Sequence, residues 1–274
     1  TPVLQEARES LRFVKSDELP ADLKPKIGEV GRVLSFGERV LHDLRAMATL
    51  ALSALGHDRP RTYLVLFQNQ TELRPTGGFM GSYAEVVFDR GDIKRMTIPG
   101  GGPYDLRDQL RVRVLPPKPL QLVSSRWEFQ DANWFPDFPT AAEKIRWFWS
   151  HAGQPTLDGV VAVNSSILEK LLAITGPIDM PEYGKIVNAQ NVMLETQKAV
   201  ELEYDKTENK PKKFVGELVA KVLERVRHAS GQDLANYATV FAMALETKEI
   251  QIALSDAEEE SQIEAWGWNG RLLP

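Results

Sequence analysis

The densest run of groups able to do chemistry is Gln68-Asn-Gln-Thr-Glu-Leu-Arg-Pro-Thr-Gly-Gly-Phe-Met-Gly-Ser82. It brings the Asn69 amide, the Glu72 carboxylate, the Arg74 guanidinium and the Thr76 hydroxyl into one short stretch with three glycines. Glycines let backbone amides approach an anion closely, and arginine carries the planar fork that clamps phosphate or carboxylate oxygens. On that reading Arg74 clamps phosphate or carboxylate oxygens while backbone amides at the glycines stabilise the charge. The same residues also suit a tight connection between strands. Glycine would then supply backbone angles, and Arg74 would pair with Glu72 or a buried carboxylate. Both readings stand on the sequence alone.

Other candidates lie downstream. Asp105, Asp108, Asp131 and Asp137 fall in irregular stretches. Paired carboxylates perform acid–base work, although loop aspartates also cap turns. Lys210-Pro-Lys-Lys213 places Lys212 and Lys213 just ahead of an apolar helical repeat, where basic groups can meet phosphate, anionic headgroups or only solvent. Trp127, Phe129, Trp134, Phe135, Phe138, Trp147, Phe148 and Trp149 make a dense aromatic stretch, suited to sugar rings, to an isoprenoid chain or to an ordinary core. Standard catalytic patterns are missing. His42, His57, His151 and His228 lack metal-ligand spacing, and neither a nucleophile-elbow serine nor a Walker loop is present. Gly77-Gly78-Phe-Met-Gly81 leads into a strand and is not a dinucleotide fingerprint.

The elements that must position these groups alternate. A weak apolar face at Leu4, Leu11 and Val14 predicts a first helix, broken by Glu18–Pro25. Apolar residues from Ile27 to Leu55 recur at helical spacing, with Gly56 placed to end the helix. That stripe reads as a packing face, or else as a stalk. Arg61–Phe67 is a continuous apolar run of strand formers, so a buried central strand is predicted. Ser82–Phe88 and Ile93–Ile98 form a hairpin across Asp89-Arg-Gly-Asp92, whose Arg-Gly-Asp triplet is turn chemistry. Pro139 suits the first turn of a helix through Trp149, and Gly159–Val163 is another buried strand. Asn164 or the serines after it cap a helix stopped by Gly176-Pro177, with Ser166 and Glu169 at capping-box spacing. Asn188 caps a helix to about Tyr204, and Phe214–Val226 and Leu234–Thr247 are helical. Glu249–Leu254 is a short strand.

The charge balance, net -5, gives no general attraction for nucleic acid. With no cysteine there is no disulfide, thiolate metal site or cysteine nucleophile. No apolar run approaches the roughly 20 residues that span a bilayer. No cofactor motif is evident.

The Glu-Leu-Arg-Pro-Thr-Gly-Gly-Phe string resembles the bacterial family known as domain of unknown function 4012. The resemblance continues through Tyr104-Asp105-Leu106, Asp131-Ala-Asn-Trp134, Pro136–Thr140, Asp158–Val163, Thr175-Gly-Pro177 and Glu201–Phe214. The order of elements is also similar to the LytR-CpsA-Psr group, which transfers glycopolymers from polyprenyl-pyrophosphate carriers to the cell wall. In that comparison Leu64–Asn69 and Arg74 take the first motif position, Thr97-Ile98-Pro99 the second and Gly159–Ile178 the third. Asn69 stands where that group has an aspartate associated with magnesium. Gly100 and Gly101 stand where it has Arg-Asp, with Lys210, Lys212 and Lys213 available instead of later arginines.

These observations predict an α/β fold, a mixed sheet sandwiched by helices after a helical N-terminal segment. The expected division is a helical segment 1–58, an α/β/α domain 59–254 and a C-terminal extension 255–274. The resemblance implies a protein on the outer face of the bacterial envelope, anchored to the membrane by a segment this sequence lacks. It implies a polyprenyl-linked glycan or other lipid phosphate as ligand, held by Asn69, Arg74, Thr76, Gly77, Gly78, Lys212 and Lys213. Magnesium is the metal it implies, Glu72 or Asp105 the base or metal ligand, and displacement at phosphorus the reaction by which the glycan would be transferred. The other reading is a non-catalytic envelope scaffold.

Overall fold

The computed structural model describes residues 2–15 and 19–272, without the side chains of Pro2 and Asp108. Of the predicted break at Glu18–Pro25, Glu18 therefore lies outside the described residues. The chain divides into two compact units, Thr1–Arg59 and Pro60–Pro274.

In the first unit, helix α1 (Pro2–Arg12) is joined to α2 (Lys24–Ala54) by an Arg8–Glu38 ion pair of 2.6 Å. Proline in the first turn suits the start of α2, and Gly56 ends it with φ +78°. No residue of α2 is buried, and Val33 and Phe36 are 63% and 62% exposed. The stripe predicted to pack is thus uncovered among the described residues. Amphipathic spacing specifies an apolar face but not a partner for it. No described helix is long and apolar enough to cross a membrane.

The second unit is built on a five-stranded sheet in the order β3-β2-β1-β4-β7. Strand β1 (Arg61–Asn69) is its centre, antiparallel to β2 (Phe79–Asp89) and parallel to β4 (Gly159–Asn164). Strands β3 (Asp92–Thr97) and β7 (Ile250–Leu254) close the edges, both antiparallel. The β2–β3 turn is the one predicted, with Arg90 and Gly91 at φ +53° and +87°.

Side chains alternate across β1 and β4, so each face has its own core. Leu64, Leu66, Val160 and Ala162 pack against helix α3 (Phe138–His151) and the irregular segment before it, where Trp127 and Phe129 are buried. Val161 and Val163 face helices α4 (Ser166–Thr175), α5 (Val192–Glu201), α6 (Lys213–Arg227) and α7 (Gln232–Glu246). The architecture is the predicted mixed sheet between helical layers. A small hairpin, β5 (Ile178–Met180) with β6 (Lys185–Val187), was not predicted; three-residue strands carry too little pattern to read.

Residues 255–272 are a correction. They form helix α8 (Ala257–Ala265) and a turn that returns to the sheet, where Ile252 N donates to Trp268 O at 3.1 Å. Leu272 N reaches Asp137 Oδ1 at 3.1 Å, and Asn269 is 1% exposed. This segment is part of the α/β unit rather than an extension from it.

Candidate functional site

A central strand with neighbours on both sides should be buried on both faces. Strand β1 is not. Leu64, Leu66 and Gln68 are fully buried on one face, whereas Val65, Phe67 and Asn69 are only half-buried on the other. Helices α4 to α7 stand off that face and leave a cavity of about 550 Å³. Its walls are apolar: Val65, Phe67, Val86 and Phe88 from the sheet, Leu171 from α4, Val200 from α5, Val219 and Leu223 from α6 and Phe241 from α7. Protein interiors leave few voids larger than a water molecule, and small-molecule sites occupy roughly 300–1,000 Å³. The volume and lining are those of a ligand site.

The polar end of the cavity lies past the C-terminal ends of the parallel pair β1 and β4, where open α/β sheets place ligands. Asn69, Thr71, Glu72, Ser165, Glu201 and Lys212 line it. Asn69 is folded back on its own loop: Oδ1 accepts from Thr71 N at 3.2 Å and Thr71 Oγ1 at 2.9 Å, and Nδ2 donates to Glu72 at 3.2 Å. Ser82 faces the cavity from β2 with a buried hydroxyl that has no hydrogen-bond partner among the described residues.

Lys212 is the cation of this end. Its backbone N–H donates to Gly100 O at 2.8 Å, which ties the residues before α6 to the triple glycine. The stem crosses Gly102, where a side chain would lie 3.1 Å from Cγ, and the ammonium ends near Gly81, where a methyl group would lie 3.9 Å from Nζ. The missing side chain at Gly102 therefore leaves the room that the lysine stem fills. Its ammonium has no ion pair or side-chain hydrogen bond among the described residues. Burial holds its pKa below the ordinary lysine value, against the opposing pull of Glu72 and Glu201.

The other predicted residues are distributed differently. Arg74 lies beside the mouth and does not line the cavity. It faces Asp131 at 3.6 Å, stands 5.1 Å over the Phe79 ring and donates to Leu73 O. Asp131 is raised by burial, with Arg74 pulling the other way, and Tyr104 is raised by burial and then by Asp131 and Glu72. Thr76 is buried: its hydroxyl accepts from Gln68 Nε2 at 2.7 Å and Asn133 Nδ2 at 3.0 Å, and its carbonyl from Gln251 Nε2 at 2.7 Å. Gly77 sits at φ +125°, where a side chain would lie 2.8 Å from Asn164 Oδ1, and its N–H donates to Arg74 O. A side chain on Gly78 would collide with Asn69 O, and Asn133 holds its carbonyl at 2.8 Å. Residues 76–78 thus fit the strand-connection reading, since the Gly77 amide offered to an anion already has an acceptor.

Asp105 accepts from Gly101 N at 3.0 Å, a turn role. Lys213 points away to Glu208 at 3.7 Å, in a second, polar groove of about 480 Å³ whose Lys185 is already paired with Glu195 and Glu203. Asp137 caps α3. Trp134, Phe135 and Trp147 pack on the core. The side chain of Asp108 is outside the described residues. Sequence reasoning missed Ser82 and Glu201 as lining groups. It also missed the cavity, whose walls come from four helices.

The described residues form no magnesium cage made of protein groups alone. Among those described, no three of His, Cys, Asp and Glu stand together as a metal set, and the Asn69 oxygen is taken by Thr71.

Fold and site together define a mixed α/β domain with an apolar, polar-mouthed cavity. The chain belongs to the family described as protein of unknown function DUF4012, which matches residues 58–200, just over half of the sequence. No curated protein matches it. Solved structures similar to it include protein gbs0355 from Streptococcus agalactiae (12% identity, TM-score 0.47, 78% of this chain and 75% of that one). TagV from B. subtilis (14%, 0.40, 77% and 81%) and Lin1025 from Listeria innocua (8%, 0.39, 75% and 76%) are others. At these scores the likeness says nothing further about this chain.

Proposed function

We propose that this protein binds a phosphate-headed isoprenoid, the carrier of an envelope glycan, with the chain in the cavity and the phosphate at Lys212. The observation that carries the reading is a single one: an apolar cavity of about 550 Å³ ends at an ammonium with no ion pair among the described residues. Burying a lone cation costs free energy unless a counter-charge arrives. The sequence resemblance to glycopolymer transferases supplies the class of ligand, the outer face of the envelope as the location and a membrane anchor.

Transfer of the glycan, which the resemblance implies, needs an acceptor hydroxyl to attack phosphorus. A new P–O bond forms, the P–O bond to the prenyl phosphate breaks, and the hydroxyl proton goes to a base. Glu72, which with Glu201 lines the polar end of the cavity, is the base in this reading. Glu72→Gln is expected to bind ligand at least as tightly as the parent, because a repelling carboxylate is gone, and to lose transfer.

The direct test is thermal unfolding of the whole chain with farnesyl phosphate, farnesol or inorganic phosphate. Farnesyl phosphate at a hundred times its Kd should stabilise by about 2.7 kcal/mol. Val219→Trp, which fills the cavity from α6, should abolish that shift while the protein stays folded. A farnesyl phosphate response equal in parent and Val219→Trp would remove the cavity from consideration. The scaffold reading keeps one observation in its favour, the Arg74–Asp131 pair, which gives Arg74 a structural partner.

A further inference from the structure

The resemblance that suggests a phosphate ligand also implies a magnesium ion to hold it, and on this point the residues disagree. A divalent cation needs oxygen ligands that are free to turn toward it. The Asn69 oxygen is spent on two Thr71 donors, and no metal-ligating cluster exists among the described residues. A fixed positive charge occupies this end of the cavity instead. Lys212 is led in by the Lys212 N–H to Gly100 O bond, laid over Gly102 and ended near Gly81. Gly100 and Gly101 stand where the resembling enzymes have Arg-Asp, and the Lys212 stem passes the adjacent Gly102. A side chain at 102 would crowd the lysine stem. The ammonium sits among Glu72 and Glu201, close enough for both to act on its charge, yet outside ion-pair distance of either.

We propose that Lys212 takes the place of the metal: it is the protein's own cation for the phosphate end of the ligand, and binding requires no divalent ion. This rests on the phosphate reading of the cavity given above. An ammonium supplies three donors and one unit of charge at a fixed point, without the ordered octahedral shell that magnesium demands. A site of this kind works at any magnesium concentration and is indifferent to chelators. It also fixes the head group by the backbone of three segments rather than by a diffusible ion.

The experiment is calorimetric titration of the whole chain with farnesyl phosphate in EDTA and again in millimolar magnesium, with farnesol as the neutral-headed control. Parent protein is expected to give the same Kd within about threefold in both buffers. Lys212→Met should weaken farnesyl phosphate at least tenfold while leaving farnesol binding intact, which shows that the cavity still folds. Lys212→Arg should retain most of the affinity. Farnesyl phosphate binding that vanishes in EDTA would overturn the inference and leave the lipid reading standing, as would Lys212→Met binding like the parent. Failure of both farnesol and farnesyl phosphate to bind the parent would overturn the lipid reading and this inference with it.

Discussion

A lysine ammonium buried outside ion-pair distance of any carboxylate among the described residues is a costly arrangement, and the cost has a pH signature. The folded-state pKa of Lys212 is lowered, first by burial. Below the folded value both states carry the proton, so the burial penalty is present in full. Between the folded and ordinary lysine values the unfolded chain binds more protons, so stability rises with pH there. Lys212→Met in ligand-free protein should therefore be more stable than the parent at neutral pH. Its advantage should shrink as pH climbs toward the ordinary lysine range. Urea unfolding at pH 7 and pH 10 measures this, and a constant difference between the two proteins would contradict it. The same residue shows the limit of reading chemistry from spacing. Lys212 was visible as a basic residue before a helix, and so was Lys213. Only the fold separates them, turning one into the cavity and the other out to Glu208.

Elements carry their own signals, and two substitutions test them. Asp137 starts α3, its carboxylate accepting from Thr140 N and Thr140 Oγ1 and, through the other oxygen, from Leu272 N. Burial raises the Asp137 carboxyl, but these bonds outweigh it and leave the pKa below the usual value. That stabilisation is present above the unfolded pKa and is lost as acid takes pH through the folded one. Asp137→Ala should cost about 1 kcal/mol at pH 7, read as a lower urea midpoint. Gly77→Ala, forced to φ +125° against Asn164, should cost about 1–3 kcal/mol and leave a less cooperative transition. Strand β1, the β2–β3 turn and the proline-led start of α3 were legible because each depends on a local pattern. The start of α4 was not. Its predicted capping box is absent: the Ser166 hydroxyl donates to Glu249 at 2.6 Å, and Gln70 Oε1 accepts from Ser166 N at 3.1 Å. Those partners are about 80 to 100 residues away in the chain, so no local window contains them. Likewise Asn188 holds Gln190 N and Asn191 N in a turn of its own, ahead of the helix it was expected to cap, whose N-cap is Asn191.

At the scale of the molecule, the sheet between helical layers was readable from alternating elements, but the stand-off of one layer was not. Apolar periodicity in α4 to α7 states that each helix has a face to bury. It does not state how far from β1 that face comes to rest, and the cavity is that distance. The half-open face of β1 makes volume itself an observable. Unfolding releases internal void to solvent, and the volume change scales with the void that is lost, typically about -20 to -100 mL/mol. Empty protein should therefore give way to hydrostatic pressure more readily than its core size suggests, and Val219→Trp should resist it better. Farnesyl phosphate should raise the pressure midpoint by occupying space as well as by mass action, so high-pressure fluorescence would separate a filled chamber from a merely crowded mouth.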